Sequence, residues 1–534
     1  MSIKLSITPI GGVGQIGSNM TLVSSEETTV LIDAGILFPY EDFFDINYLI
    51  PNLSFIETAP NALIITHGHE DHIGAIVHVL TQFPEMEIYA APFAKALIEF
   101  KLKDAQLNRH INTYRESDQI AINDLLIDPI HVNHSIPETF GLHFSHRSYP
   151  WSVFFVSDFK VDPKSPYELP FNFSKLHKLS HSKTHRILLC DSTNILSRNL
   201  KTPSEGDLIN DLDSILSLDG RIFASFFASN IHRLQTFINL AYQHKKKCVL
   251  YGGSLLKYSQ IALQQGLLKD PHNVLTEAKS VKASDENLLV LCSGCQADFR
   301  GSFRRVIFGE DTIFKPTKDD RFIFSSKPIP GNEKKIGLLY NKLAQLGAHI
   351  ITADDYHIHA SGHPGKEDIK QLIDLYSPQT LIPIHGESLF IRKYEEHIAK
   401  NHPKIKSRIL FNFDTYIEDT DEIIQREALE PIIIHGRYLT LEKNHLSERR
   451  KLACNGILFI SFSMKKRSEI SITPNGLPDL VLTQIDSFKE VLVERLLASK
   501  LSGDALAEES RIFARQYFAH HLGYKPMTFV HFMP

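Results

Sequence analysis

One segment limits what this chain can become more than any other: Leu63-Ile-Ile-Thr-His67-Gly-His69-Glu-Asp71-His72-Ile-Gly74. A short apolar run, Leu63 to Ile65, ends abruptly in His67, His69, Asp71 and His72, all potential metal ligands. Behind them Ile73, Ile76, Val77 and Leu80 recur at the i, i+3, i+4, i+7 spacing of an amphipathic helix. The ligands are therefore expected in a strand-to-helix loop held between two rigid elements. Such a loop cannot wrap every one of these side chains around one ion. Alternate residues of an extended segment point the same way, so His67 and His69 can bind one metal while Asp71 and His72 turn away and suit a second. Neutral imidazoles with carboxylates suit zinc, or manganese where oxygen donors dominate.

A chain of 534 residues exceeds what one hydrophobic core usually serves, so two to four domains are expected. Hydrophobic content of 43% and charged content of 22% are ordinary for a soluble globular protein. A net charge of −5 does not advertise a polyanion partner, although local basic surface decides nucleic-acid binding. Five cysteines are sparse and odd in number, which disfavours a disulfide framework and suits a reducing cytoplasm. The start, Met1-Ser-Ile-Lys-Leu-Ser6, lacks the apolar core of a signal peptide. No apolar run approaches the length of a membrane span, so no membrane partner is expected.

Taken in order, Lys4 to Ile10 reads as a strand leading into Gly11-Gly-Val-Gly-Gln-Ile-Gly17. Gly12-x-Gly14-x-x-Gly17 matches the dinucleotide fingerprint, and Asp33 falls near the distance of about twenty residues that it requires. That fingerprint needs a helix after its glycines. Here Met20 to Val23, a charged turn at Glu26 and Glu27, and Val30 to Asp33 read as strand, turn, strand. The glycines are better read as permitting close backbone approach beside the ligand loop, and Asp33 as a partner that orients a ligand histidine. Further apolar runs end in chemistry-bearing side chains: Ile130-His131-Val-Asn-His134, Val153-Phe-Phe-Val-Ser-Asp158, Ile187-Leu-Leu-Cys-Asp191 and Thr380-Leu-Ile-Pro-Ile-His385. His134 is preferred to His131 because Pro137 fixes a turn just after it. Asp158 suits a bridging position. Such strand ends meeting on one rim are where α/β sheets place their chemistry.

From about residue 196 to 350 the pattern reads as a separate α/β unit. A strand ends at Ser229-Asn230-Ile-His232-Arg233, and Leu234, Ile238 and Ala241 follow at helical spacing, so an anion would sit well on the helix start. Cys292-x-x-Cys295 has no second pair nearby and reads as structural. Gly331, in Pro328-Ile-Pro-Gly-Asn-Glu333, is expected to supply a positive φ. His357-Ile-His359-Ala360-Ser361-Gly362-His363 brings histidines and small residues together, which suits backbone amides approaching a phosphate. Residues 455–534 read as a small α/β domain with a strand Ile457 to Phe462 and a helix Phe488 to Leu501.

Taken together, the His-x-His-x-Asp-His segment, His134, Asp158 and Pro383-x-His385-Gly-Glu387 resemble the metallo-β-lactamase fold. The insertion between Asp191 and His359 resembles a β-CASP domain. Gly11-Gly-Val-Gly14, Phe38-Pro39 after Asp33-Ala-Gly35, Asn133-His-Ser-Ile-Pro137, Asp158-Phe-Lys160, Asp191-Ser-Thr-Asn194, Phe227-Ala-Ser-Asn-Ile-His-Arg233, Pro328 to Glu333 and His359-Ala-Ser-Gly-His363 are similar to the ribonuclease J family. The resemblance implies an α/β fold: an αββα metallo-β-lactamase sandwich (1–195 and 351–425), an inserted α/β β-CASP domain (196–350), a linker (426–454) and a small C-terminal α/β domain (455–534).

It implies two Zn2+ per subunit, or Mn2+ in their place. His67, His69 and His134 would hold one ion, Asp71, His72 and His385 the other, and Asp158 would bridge them. A hydroxide activated by both metals would attack an RNA phosphodiester, with His363, Asp191 and Asp71 as catalytic residues. Ser229, Asn230, His232, His359, Ala360, Ser361, Gly362 and His363 would bind substrate. The activity implied is a 5′-to-3′ exonuclease, preferring a 5′-monophosphate end on single-stranded RNA, and an endonuclease, serving mRNA decay and rRNA maturation in the cytoplasm. The family also implies a homodimer or homotetramer and a place in an RNA-decay complex.

Three departures are visible. Gln15 stands where the family often has Glu, and Ile434-His435-Gly436 lacks an aspartate common in the linker, so an accessory calcium ion is not expected. Leu291-Cys-Ser-Gly-Cys-Gln-Ala-Asp298 replaces Thr-Gly-Ser-Gln-Gly-Glu-Pro, which bears on the substrate groove. A lactonase-like hydrolase would share the metals but has no use for the insertion. A non-catalytic RNA-binding subunit would not need the whole ligand set.

Overall fold

The run Trp151–Val156 shows how the apolar stretches are used, because every one of its residues is buried. Successive strand residues point to opposite faces. Val153 and Phe155 enter a core shared with Ile7, Val30 and Ile64, while Phe154 and Val156 enter another with Ile369, Leu372 and Tyr376. A strand covered on both faces must be apolar throughout, which is why it does not alternate. The structure is a computed structural model that describes residues 4–39, 46–181, 183–282, 285–329 and 331–533.

Among the described residues an eight-stranded and a seven-stranded sheet pack face to face. The first contains Ser6–Gly11, Met20–Ser24, Thr29–Ile32 and Ala62–Ile65, and the second contains Leu125–His131, Phe140–His146, Trp151–Val156, His185–Asp191 and Thr380–Ile384. Helices Lys366–Tyr376 and Ser388–Asn401 cover the outer face of the second sheet. This is the αββα sandwich expected from the sequence. Trp151–Val156, His185–Asp191 and Thr380–Ile384 pair in parallel, so Asp158, Asp191 and His385 emerge at one edge. Leu125–His131 lies two antiparallel steps from Trp151–Val156 and so delivers His134 to that same edge.

Between the halves of the sandwich runs a six-stranded parallel sheet in the order Leu275–Thr276, Lys247–Tyr251, Leu288–Cys292, Ile222–Ser225, Arg321–Phe324, His349–Ile351. It has its own core around Phe223, Val290, Phe303, Phe322 and Leu339. Gly331 has φ 97°, as its loop required; Pro330 in the same motif lies outside the described residues. Gly12, Gly14 and Gly17 also have positive φ, and no helix follows them, which removes the dinucleotide reading.

The chain divides into two units, Met1–Phe38 with Leu49–Pro431, and Pro39–Tyr48 with Ile432–Pro534. In the second, Ile457–Ser463 pairs antiparallel with Ile470–Asn475 and in parallel with Met527–Met533. The helix anticipated from Phe488 instead spans Asp479–Ala498, beginning directly behind Pro478, a residue suited to a helix start. A second helix, Gly503–Leu522, buries Leu506, Ser510, Ala514 and Phe518 at four-residue intervals. The stretch read as a linker is folded, with strands Ile432–His435 and Leu439–Leu441 and a helix Lys443–Asn455. No described helix is long and apolar enough to cross a membrane.

The two sheets are held by side chains such as Phe155, 2% exposed in the core between them. Phe155→Ala is expected to destabilise the protein by about 3–5 kcal/mol, read from chemical denaturation. A loss below about 1 kcal/mol, the scale of an ordinary surface change, would show that the sheets are not held there.

Candidate metal centre

The apolar strand Ala62–Ile65 stops at Thr66, and His67 to His69 continue extended before a helix begins at Glu70. Asp71 and His72 thus stand on the first turn of that helix and not in the loop expected from the sequence. The helical spacing that begins at Ile73 also conceals a break, since Glu70–Ile73 and Ile76–Gln82 are separate helices. The turn lies against residues 34–36, where the amides of Ala34 and Ile36 donate to the His72 and Glu70 carbonyls. A Cβ on Gly35 would sit 1.6 Å from the Asp71 carbonyl oxygen, so only glycine allows this approach.

The edge collects His67, His69, His134 and Asp158 into one cluster, and Asp71, His72 and His385 into another, each with ligand atoms within 4.8 Å of one another. In the first, His69 Nδ1 is 3.1 Å from His67 Nε2 and 3.1 Å from His134 Nε2. Asp158 Oδ2 is 3.4 and 3.5 Å from the nitrogens of His67 and His134. In the second, His385 Nε2 is 3.3 Å from Asp71 Oδ2, and His72 Nε2 is 3.6 Å from it. Asp158 joins the two clusters, with Oδ2 3.3 Å from His72 Nε2 and Oδ1 3.3 Å from His385 Nε2.

These spacings fit metal ions. Zinc bonds of about 2.0–2.1 Å in a tetrahedron place neighbouring donors roughly 3.3 Å apart. The far side of each ring is already tied down. Thr66 donates its hydroxyl to Asp33, so it accepts from His67 Nδ1 at 3.0 Å. His72 Nδ1 donates to Asp33 at 2.7 Å, as expected of that aspartate, and His134 Nδ1 donates to the Gly362 carbonyl at 2.7 Å. Thr193 gives its proton to the His385 carbonyl and accepts from His385 Nδ1 at 2.7 Å. Each of these four rings therefore turns Nε2 toward the clusters. His69 is held the other way, with Nε2 3.0 Å from Ser229 Oγ. Asp158 Oδ1 is buried and has no hydrogen-bond partner among the described residues, as an oxygen awaiting a cation would be.

Electrostatics separate the two clusters. Burial, followed by neighbouring imidazoles, holds His67 well below its ordinary range, and burial with the His69 and His363 imidazoles does the same to His134 against the pull of Asp158. Burial brings His69 down to about 4. Burial also opposes charge on His72 and His385, but carboxylates overcome it. Asp158 chiefly raises His72 well above its ordinary range, and Asp158 with Asp71 raises His385 to about 9.

Beside the clusters His363 donates from Nδ1 to Asp191 Oδ2 at 2.8 Å, and its ring centroid is 5.3 Å from those of both His134 and His385. Burial disfavours its charged form, yet Asp191 leaves its pKa raised. Asn194 fixes this loop by donating to Ser361 Oγ and to the His363 carbonyl, each at 2.9 Å. Gly362 is needed there, because a Cβ would lie 2.6 Å from the His134 ring. Among the other residues expected at the substrate, Asn230, His232 and Ala360 are buried. Asn230 caps the helix Ile231–Gln243 and donates to Glu205. His232 faces Glu168 at 3.9 Å. Ala360 is buried, and His359 is pushed down to about 3 by burial and then by Arg233.

Two contributors were absent from the sequence reading. Asn19 donates to Asp71 Oδ2 at 3.3 Å and lies 3.0 Å from His72 Nε2. Glu205, fully buried, pairs with Arg233 at 2.9 Å, and Arg233 donates to the carbonyls of Ser325 and Ile358, joining the insertion to the sandwich. Neither had a signal, since an isolated Asn or Glu has no spacing that marks it. Cys292 and Cys295 are buried free thiols, and burial pushes Cys295 up to about 12, in keeping with a structural role.

A sandwich with buried imidazole and carboxylate clusters at its edge, interrupted by a parallel α/β insertion, defines a metallo-β-lactamase-superfamily hydrolase with a metal-binding site and a β-CASP domain. Residues 13–158 match the metallo-β-lactamase superfamily, residues 219–343 the ribonuclease J β-CASP domain, and residues 351–410 the RNA specificity domain of Zn-dependent metallo-hydrolases. Ribonuclease J of Thermus thermophilus is 32% identical over 397 residues, covering 72% of this chain and 68% of that protein. Ribonuclease J of Mycoplasma genitalium is 30% identical, covering 89% and 84%, and that of Synechocystis is 28% identical, covering 98% and 86%. The chain belongs to the ribonuclease J family. A crystal structure of an Enterococcus faecalis protein of unknown function shares the fold, with a TM-score of 0.52 at 14% identity over 81% of this chain and 100% of that one.

The two clusters should differ in how they release protons. His67, His69 and His134 are lowered and already neutral at pH 7, whereas His72 and His385 are raised and carry protons that a cation must displace. Affinity at the second cluster should therefore climb with pH until His385 titrates at about 9, while the first should be nearly flat near neutrality. Zinc calorimetry of the metal-free protein, in buffers of different ionisation enthalpy, should show one equivalent releasing more protons than the other. Equal release by both would count against this assignment.

Proposed function

We propose that the protein is a metal-dependent ribonuclease holding two zinc ions per subunit, with manganese able to replace them. His67, His69 and His134 would hold one ion, Asp71, His72 and His385 the other, and Asp158 both. The observation that carries this reading is the Asp158 carboxylate, which faces imidazoles of both clusters at 3.3–3.5 Å. When bound, a pair of divalent ions lowers the pKa of water between them and neutralises charge on an attacked phosphate.

The chain's own residues supply the rest. His363, with its proton held by Asp191, is set to give a proton from Nε2 to the leaving oxygen of an RNA phosphodiester. Asp191 keeps the ring oriented, and the amide of Thr193 donates to its other oxygen at 2.8 Å. Asp71, bound by Asn19, accepts from His385 and so aligns both imidazoles of its cluster. The helix Ile231–Gln243 starts beside Ser229, whose hydroxyl touches His69, so a terminal phosphate would meet the positive end of a helix there. Because Asn230 is occupied as a cap, backbone groups and Ser229 are better placed for that phosphate than the Asn230 amide. This supports 5′-to-3′ exonuclease action from a 5′-monophosphate end; endonuclease action, and a role in RNA decay and maturation, rest on the resemblance alone.

The domain limits proposed with it are 1–195 and 351–425 for the sandwich, 196–350 for the insertion, 426–454 for the connection and 455–534 for the C-terminal domain. Buried free thiols at Cys190, Cys248, Cys292 and Cys295 support a cytoplasmic setting. A homodimer or homotetramer rests on the resemblance alone.

Matched single-stranded RNAs bearing 5′-monophosphate or 5′-triphosphate ends provide the test, with product sizes followed over time. The monophosphate RNA should be degraded faster, releasing mononucleotides, and chelation should stop it. His69→Ala should abolish cleavage. His363→Ala should lower kcat by about 10²–10⁴ while zinc content stays unchanged. Undiminished turnover in His69→Ala would exclude the reading.

A further inference from the structure

Three neighbouring strands of the insertion, Leu288–Cys292, Ile222–Ser225 and Arg321–Phe324, run in parallel, so the loops after them lie side by side. The middle loop runs on to Ser229 at the metal centre. The outer two are stitched together by Gln296, a buried side chain whose Nε2 donates to the Lys327 carbonyl at 3.0 Å and whose Oε1 accepts from the Ile329 amide at 2.8 Å. Gln296 belongs to the stretch that departs from the family pattern. Just beyond it stands Phe299, 78% exposed and flanked by exposed Arg300, while Lys327 and Ile329 are exposed on the facing loop. Arg304 covers one face of the Phe299 ring at 4.9 Å from its centroid, and the ring's exposure leaves the other face to solvent.

An aromatic face braced by Arg304, with Arg300 next in the chain and Lys327 on the facing loop, has the chemistry of a single-strand platform. Every base has a π-face to stack on it, and the backbone phosphates find positive charge beside it. We propose that Phe299 stacks a base of the RNA strand, with Arg300 and Lys327 tracking its phosphates, as a subsite on the insertion separate from the metal centre. This rests on the ribonuclease reading above.

The test compares the full-length enzyme with Phe299→Ala, Phe299→Trp and Arg300→Ala, using a 5′-monophosphorylated oligoadenylate and bis(p-nitrophenyl) phosphate, which is too short to reach the loop. Phe299→Ala should raise KM for the RNA by about tenfold with kcat unchanged. Phe299→Trp should restore it, and bis(p-nitrophenyl) phosphate hydrolysis should not change in either. Arg300→Ala should reduce the salt dependence of RNA affinity by about one unit of slope, whereas Phe299→Ala should not. An unchanged KM in Phe299→Ala, while the parent cleaves the RNA, overturns the stacking subsite and leaves the ribonuclease reading intact. A change in sedimentation without a change in KM would assign the surface to protein contact and overturn it as well. If the parent hydrolyses the small ester but not RNA, both readings fall together.

Discussion

A single carboxylate, Asp158, governs this molecule. It is buried, and its two oxygens face imidazole nitrogens of His67, His72, His134 and His385. An ionised carboxylate in such a place is tolerable only beside positive charge. Burial works against its ionisation, yet His385 and His72 hold it well below the usual carboxylate range, which shows how strongly the pocket is built around an anion at this point. Divalent cations meet the same requirement with more charge and leave the imidazoles neutral. The surrounding architecture can be read as the means of keeping that oxygen pair still.

The means are mostly backbone. Asp158, Asp191 and His385 are fixed by parallel register between Trp151–Val156, His185–Asp191 and Thr380–Ile384. The rotation of the His72, His67, His385 and His134 rings is set by Asp33, Thr66, Thr193 and the Gly362 carbonyl, which take up their opposite ring nitrogens. Such outer partners commonly govern metal affinity by about 10–100-fold, so the centre extends well past the side chains that would touch an ion. Gly362 shows how tight the fit is, since its carbonyl orients His134 while its missing side chain leaves room for the ring.

Much of the sandwich and of the metal cluster was legible in the sequence for one physical reason. Strands buried on both faces are continuous apolar runs, and in such a fold the first ionisable residue after each run stands at the working edge. His67, Asp158, Asp191 and His385 all announce themselves that way. Asp33 was found by the same rule. Asn19 and Glu205 were not, because their importance lies in partners distant along the chain, Asp71 and Arg233, that no local pattern connects. Helix onset at Glu70 was missed because the motif's spacing reads equally well as extended. The fold of residues 432–455 was hidden by short strands and a helix without a buried face.

The order in which the chain is made acquires a meaning from the position of the strand Thr380–Ile384. The imidazoles and the carboxylate of the first cluster are all present once residue 158 has been synthesised, but the second cluster waits for His385, beyond the whole insertion. At about 5–20 residues per second that interval is on the order of ten seconds or more. A nascent chain still on the ribosome thus carries the side chains of the first cluster but not those of the second. Because Thr380–Ile384 pairs with His185–Asp191 from across the insertion, the second cluster can come together only when the sandwich closes.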